Sequence, residues 1–443
     1  MNDMQRVLDA QKKHFIDEGS PSIELRVDRL NRLKSLIIDN RYDFVDALNE
    51  DYGNRSKNTS IMTDAYSIVP DINNAIKNIK KWTKTDKRSS NFPFGLFGAK
   101  SYVRHEPLGT VGMVSPWNFP VNLSFGPLAA IFAAGNQVMH KPSELTPLTA
   151  ALIKDLCDKS YDENEFATFL GGPEVGEAFT KLHFDHLLYT GSGNIGKHVM
   201  QSASQNLVPV TLELGGKSPV VIGNSADMKV SAKRIMFGKT LNAGQICLAP
   251  DYVIVHKDKK EEFIKEAENA IKEFYPSIKD NDDYSSIINE RHYNRINSLV
   301  DDAKEKGAHI NQINPSSEDF SQQQFYKIPP TIVTNTTDDT AEVSVPVGDN
   351  IVNAAKVDSD LDDDVVLRAE IANTSGAAAG FISQDDLTCS NAANNATRPD
   401  GHICGAFGAY SFSPGTFPAT DFDDAAVVGL VTKGDSSVYG DQL

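Results

Sequence analysis

The chain reads as an α/β protein built on a mostly parallel, doubly wound sheet. Three observations carry that expectation. Beyond Ser101, short apolar runs alternate with amphipathic helical stretches, the order that βαβ crossovers leave in a sequence. The segment Gly191-Ser192-Gly193-Asn194-Ile195-Gly196 falls between one such run and the next helix, where backbone amides can meet a phosphate. At 443 residues the chain exceeds what one ordinary core serves, so two or three packed units are expected.

The first third carries helical periodicity. Leu25, Leu30, Leu33 and Ile37 share one face, as do Phe44, Val45 and Leu48, and then Ile72, Ile76 and Ile79, with Gly53 and Pro70 expected to break the run. Strands follow at Leu108 to Ser115 and Gln137 to His140, separated by a helix over Gly126 to Ala134. The helix Thr146 to Cys157, the strands Phe166 to Leu170 and His186 to Tyr189, and the helix Gly196 to Gln205 continue the alternation. A second unit is expected to open near Pro209 with the strand Val210 to Leu214. It runs on through Val220 to Ile222, the helix Ser231 to Leu241, the strand Tyr252 to His256 and a helix marked by Phe263, Ala267, Ala270 and Phe274. Past Asp338 no ten residues keep a clear period, although Val343 to Val347 and Ala426 to Val431 have the make-up of short strands.

Composition removes several classes of function. Hydrophobic residues at 40% and charged residues at 23% fit a soluble globular protein, with no apolar run long enough to cross a bilayer. Met1 to Gly19 lacks the apolar core of a secretory signal, so a cytoplasmic protein is expected. A net charge of −17 disfavours nucleic acid and anionic membranes as partners. That charge is concentrated: residues 338–443 hold 18 acidic against 4 basic side chains. Cys157, Cys247, Cys389 and Cys404 stand too far apart for a disulfide framework or a zinc site, and His183 and His186 have no second ligand cluster, so no metal is expected.

The chemistry concentrates in a few segments. The GxGxxG turn alone is a weak signal, since convenient glycines also make ordinary turns. A dinucleotide fingerprint asks for an acid about twenty residues on, which Glu213 at the end of the next strand supplies. Glu213 is equally suited to general-base work beside the flexible Gly215-Gly216 pair. Cys247 follows Asn242-Ala243-Gly244-Gln245-Ile246, where Gly244 permits close approach of the chain to a reacting group. Asn118, between Pro116-Trp117 and Phe119-Pro120, is a neutral amide of the kind that stabilises an oxyanion, or else a cap for that turn.

Taken together, Pro116-Trp117-Asn118-Phe119-Pro120, His140-Lys141-Pro142-Ser143-Glu144, Gly171-Gly172-Pro173-Glu174-Val175-Gly176, Leu212-Glu213-Leu214-Gly215-Gly216-Lys217-Ser218-Pro219 and Asn242 to Cys247 resemble the aldehyde dehydrogenase superfamily. Cys247-Leu248-Ala249-Pro250-Asp251-Tyr252 is similar to its class 3 and coniferyl aldehyde dehydrogenase branch. The resemblance implies a Rossmann-type NAD(P)-binding domain over 1–208, with part of an oligomerisation strand near 101–111, and an α/β catalytic domain over 209–337. It implies Cys247 as nucleophile, Asn118 as oxyanion donor and Glu213 as base, acting on a small-molecule aldehyde, aromatic or aliphatic, to give the acid. It further implies cofactor contacts at Val114, Ser115 and Trp117 near the nicotinamide, at Lys141, Ser143 and Glu144 around the adenosine ribose, and at Gly191 and Ser192 near the phosphates. A carboxylate at Glu144 favours NAD, with NADP possible in this branch, and a homodimer is implied.

The resemblance runs to Ile328-Pro329-Pro330-Thr331-Ile332-Val333-Thr334-Asn335 and ends near residue 337. The acidic segment 338–443 is expected to replace the end of the catalytic and oligomerisation regions. An alternative follows: a nucleotide-binding protein of the same fold whose altered ending impairs turnover and dimer formation.

Overall fold

The computed structural model describes residues 2–336 and the strands Ala354–Asp358, Glu370–Ile371 and Gly380–Phe381. The strands anticipated at Val343 to Val347 and Ala426 to Val431 lie outside the described residues, as do Cys389 and Cys404.

Two five-stranded sheets organise the chain. In the first, the order is Phe166–Thr168, Gln137–Lys141, Thr110–Val114, His186–Thr190, Val210–Glu213, with every pairing parallel. The chain begins in the middle, winds outward one way and then crosses back to build the other half. That reversal leaves a crevice between the carboxyl ends of Thr110–Val114 and His186–Thr190, where ligands of doubly wound sheets bind. Gln137–Lys141 is buried along its whole length, as a parallel strand covered on both faces requires.

The helices Ile23–Asp39, Ile68–Trp82 and Asn122–Ala134 close one face around Leu30, Leu33, Ile37, Ile72, Ile79, Phe125 and Phe132. The opposite face is covered by Asn2–Glu18, Pro173–Thr180 and Gly193–Ser204 through Val7, Leu8, Phe179 and Val199. Two expectations change here. Leu25 is exposed, because it sits in the first turn, where its backbone N–H caps onto the Ser22 hydroxyl. Pro70 does not break a helix; it lies in the first turn of Ile68–Trp82, where its missing N–H costs nothing, and a π-helical turn at Ile61–Tyr66 makes the break.

The second sheet runs His309–Gln312, Thr331–Thr334, Ala354–Asp358, Pro250–Val255, Ser218–Ile222, with only the first pair antiparallel. Its core includes Ile222, Met236, Val253, Phe263 and Ile332. Val210–Glu213, expected to open this unit, pairs instead with His186–Thr190, so the sheets divide after Glu213 rather than near residue 208. Apolar content cannot distinguish the two assignments; the hydrogen-bonding partner decides. Ala354–Asp358 occupies the middle of this sheet although it lies in the acidic segment, outside the two stretches there with the make-up of strands. With one β-branched residue and no alternation, it gives no strand signal.

Among the described residues no helix is long and apolar enough to cross a membrane, and no group of three or more His, Cys, Asp or Glu is placed to hold a metal. His186 instead shares a hydrogen bond with the Thr211 hydroxyl at 2.9 Å.

Close packing of the first sheet turns on Gly112, where a β-carbon would stand 2.6 Å from the Phe184 ring. Gly112→Ala is expected to cost about 1–3 kcal/mol through overpacking. Urea denaturation should show a lower midpoint with an unchanged slope; an unaltered midpoint would refute the packing argument.

Candidate active site

The residues singled out by sequence gather at the carboxyl edge of the first sheet. Val114 and Lys141 end adjacent paired strands, Thr190 precedes Gly191, and Glu213 ends the edge strand opposite Thr190. The Gly191 amide donates to the Glu213 carbonyl at 2.9 Å, which joins the glycine turn to the Glu213 segment. Glu213 itself is exposed at the strand end.

Asn118 is half-buried in the loop that follows Ser115, and its side-chain amide donates to the Gln245 carbonyl at 3.1 Å, two residues before Cys247. On the other side, Gly216 lies against the Cys247 carbonyl, which a β-carbon there would approach to 3.3 Å. The turn bearing Cys247 is therefore held between the Asn118 loop and the Gly215-Gly216 turn that follows Glu213. Cys247 is half-exposed, whereas Cys157 is buried in the core, where burial pushes its thiol far above the ordinary range and makes it a poor nucleophile.

The turn is unusual in its backbone. Asn242, Ala243 and Gly244 all have positive φ, at 51°, 51° and 77°. For the two non-glycine residues this conformation costs roughly 1–2 kcal/mol each. The cost is met by hydrogen bonds: buried Gln245 donates to the Asn242 and Ser286 carbonyls at 3.0 and 2.9 Å and accepts from the Ile288 amide at 3.0 Å. Behind the turn, Asp251 pairs with Lys217 and lies 3.8 Å from Lys239, all three largely withdrawn from solvent.

The opposite half of the edge fits a dinucleotide. Ser192 caps the helix Gly193–Ser204 by accepting from the Ile195 amide, leaving the helix start open to an anion. A β-carbon at Gly191 would collide with the Tyr189 hydroxyl, so the backbone there stays bare. Buried Lys141 reaches the Pro142 carbonyl at 2.8 Å and the half-exposed Glu144 carboxylate at 3.3 Å, with Ser143 alongside accepting from the Leu145 amide. Ser115 differs from its neighbours: its hydroxyl is buried inside the protein rather than turned to the crevice. Trp117 is half-buried, its ring 6.4 Å from Tyr52 and 5.4 Å from His292.

A profile of the aldehyde dehydrogenase family matches residues 1–398. The chain belongs to the aldehyde dehydrogenase family. It is 50% identical over 337 residues to a probable coniferyl aldehyde dehydrogenase of Caulobacter vibrioides, covering 76% of this chain and 70% of that relative. It is 45% identical over 332 residues to a coniferyl aldehyde dehydrogenase of a Pseudomonas species, covering 75% and 68%. Among solved structures, the substrate-bound state of Staphylococcus aureus AldH superposes with a TM-score of 0.74 at 36% identity, covering 81% of this chain and 76% of that one. The family profile thus extends past the point where the sequence resemblance was read to end.

As an aldehyde dehydrogenase, the chain oxidises aldehydes with a nicotinamide cofactor. Sequence reading missed the support around its Asn118 loop. Arg55 and Asp64 form a fully buried ion pair at 2.5 Å; Arg55 donates to the Asn118 carbonyl at 3.0 Å, and Asp64 accepts from the Val121 and Asn122 amides at 3.2 and 3.3 Å. The Tyr52 hydroxyl donates to the Trp117 and Asn118 carbonyls, both at 3.1 Å. No spacing in the sequence announces an ion pair nine residues apart across a helix break. Arg55→Leu leaves Asp64 buried without its partner and is expected to destabilise the chain by about 3–5 kcal/mol. Chemical denaturation measures this, and a loss below 1 kcal/mol would contradict it.

Proposed function

We propose that this aldehyde dehydrogenase oxidises phenylpropenyl aldehydes of the coniferyl kind to the carboxylic acids with NAD, through a thioester on Cys247. The observation that carries the reading is the meeting of the Asn118 amide with the carbonyl of Gln245, beside Cys247, while Gly216 of the Glu213 segment abuts the same turn. The Cys247 thiolate attacks the aldehyde carbon to give a hemithioacetal oxyanion. One Asn118 N–H is used by Gln245, and the second is the donor assigned to that oxyanion. The bound nicotinamide supplies a hydride acceptor. Glu213 then takes a proton from water as it adds to the thioester carbonyl, and the thiolate of Cys247 leaves with the acid formed. This assignment uses Glu213 as base and leaves the ribose to Lys141 and Glu144, whose carboxylate would repel a 2′-phosphate.

The names of the two coniferyl relatives support the substrate class. A reactive thiol also suits the reducing cytoplasm.

Stopped-flow production of reduced cofactor tests the three roles. Cys247→Ala should abolish the signal, and Asn118→Ala should lower kcat/KM by about 10²- to 10³-fold. Glu213→Gln should keep one rapid turnover and then stall, because deacylation needs the base. Equal kcat/KM for coniferyl and short aliphatic aldehydes would refute the substrate reading, preference for NADP the cofactor reading.

A homodimer is proposed through the hairpin Asp86–Arg88 and Ser101–Val103, which joins neither sheet. Its tip exposes Phe92, Phe94, Leu96 and Phe97 by 64–85%, and residues 84–104 hold five basic side chains against one acidic in a chain of −17. A second, acidic copy fits that surface. Light scattering should find a dimer that a Phe92→Ser, Phe94→Ser, Phe97→Ser variant loses; a monomeric parent at tens of micromolar, which is roughly the range where weak interfaces fill, would sink the proposal.

A further inference from the structure

We propose that His140 is a positioning residue that sets the loop carrying Asn118, acting through the hydroxyls of Ser115 and Ser124. The inference rests on the reading of Asn118 as oxyanion donor.

His140 lies on the strand Gln137–Lys141, fully buried and tilted against Phe166 at 5.7 Å. Its neighbours Val138 and Met139 are equally buried and apolar. A histidine in such a strand is costly unless it is used. Nε2 stands 2.8 Å from Ser115 Oγ and 3.2 Å from Ser124 Oγ, and the two hydroxyls are 2.8 Å apart. Ser124 donates to the Pro120 carbonyl at 2.6 Å. Ser115 and Pro120 bracket the segment Pro116-Trp117-Asn118-Phe119, so this buried group grips the loop at both ends.

Proton accounting gives the group a direction. Ser124 spends its proton on Pro120, which can only accept. Ser115 can then donate to Ser124, and Nε2–H to Ser115, so that one chain of hydrogen bonds runs from His140 to the Pro120 carbonyl. Nδ1 has no partner among the described residues. In this arrangement it is an orphan acceptor, which proteins tolerate better than an orphan N–H. Burial, with Lys141 adding to it, lowers the imidazole to about 3, so the ring stays neutral and carries a single N–H.

The loop is held from its other side by Arg55, Asp64 and Tyr52. With the latch removed, that outer clamp still closes, and the expected result is a folded protein whose Asn118 sits slightly out of place. Displacements of that order cost up to about 100-fold in rate.

The experiment is a double-mutant cycle on kcat/KM for the aldehyde, with thermal unfolding followed in parallel. His140→Leu should lower kcat/KM by about ten- to a hundredfold through kcat, with NAD affinity unchanged. In an Asn118→Ala background the same substitution should cause no further loss. Ser124→Ala should behave likewise and carries the test if His140→Leu fails to fold. Equal losses in both backgrounds, or a lower Tm with parental kcat/KM, would overturn the latch. Parental activity in Asn118→Ala alone would remove the oxyanion reading instead, and the latch as stated with it. Nitrogen-15 spectra at neutral pH supply a readout independent of rate: the histidine signal missing from His140→Leu should report a protonated Nε2, and a protonated Nδ1 would overturn the assignment.

Discussion

The carbonyl oxygen of Asn118 is the point on which the rest of the site depends. It accepts from Tyr52 at 3.1 Å, Arg55 at 3.0 Å and Asn242 at 3.1 Å. Those donors come from the N-terminal helices and from the Cys247 turn, while Asn118 belongs to the loop leaving the first sheet. One peptide group therefore ties together three parts of the chain, Arg55 standing 63 residues before it in sequence and Asn242 124 residues after it. Its side chain makes a second tie to the same turn through Gln245. An oxyanion donor must already be in position when the charge forms, and the role proposed for Asn118 asks for the fixing at backbone and amide that it has.

The fixing has an internal logic of load and support. Asn242 and Ala243 hold left-handed conformations that an isolated peptide would leave at once. Gln245 and the Asn118 carbonyl oppose that tendency with hydrogen bonds buried away from competing water. The result is a turn that keeps Cys247 half-exposed at a fixed point. A relaxed helical turn would carry the thiol elsewhere. Strain here is the means by which the Cys247 thiol is given one address.

Much of this was legible in the sequence, and the remainder was hidden for identifiable reasons. The alternating strands and helices from Ser101 onward predict the doubly wound sheet; the elements read there recur with ends shifted by up to four residues, while the helices Pro173–Thr180 and Glu290–Glu305 and the strands His309–Gln312 and Thr331–Thr334 are not among those read. Val114, Lys141, Thr190 and Glu213 end strands of one parallel sheet, so the segments that follow them share its carboxyl edge, whereas the Cys247 turn precedes a strand of the other sheet. What could not be read were partnerships. Val210–Glu213 is as apolar as a strand of either sheet, and only its pairing assigns it to the first. Arg55 and Asp64 look like surface charges until the fold buries them against each other. Ser115 was expected to face the cofactor, yet its hydroxyl turns inward to His140, a contact that requires knowing which face of the strand the helix Asn122–Ala134 covers.

The strand Ala354–Asp358 brings the acidic C-terminal stretch into the argument about catalysis. Pro250–Val255 begins three residues after Cys247 and has two neighbours. One is Ser218–Ile222, which leaves the Gly215-Gly216 turn; the other is Ala354–Asp358. The strand that follows the Cys247 turn is thus central, not an edge, because a segment more than a hundred residues downstream of Cys247 pairs with it. Parallel edge strands left open expose a row of unsatisfied backbone groups and fray. A segment with almost no strand propensity of its own can serve here because Thr331–Thr334 and Pro250–Val255 flank it on both sides. Tertiary pairing supplies what local preference lacks. The Cys247 turn and the strand Ala354–Asp358 are therefore joined through one sheet, although nothing in the sequence near either of them announces the other.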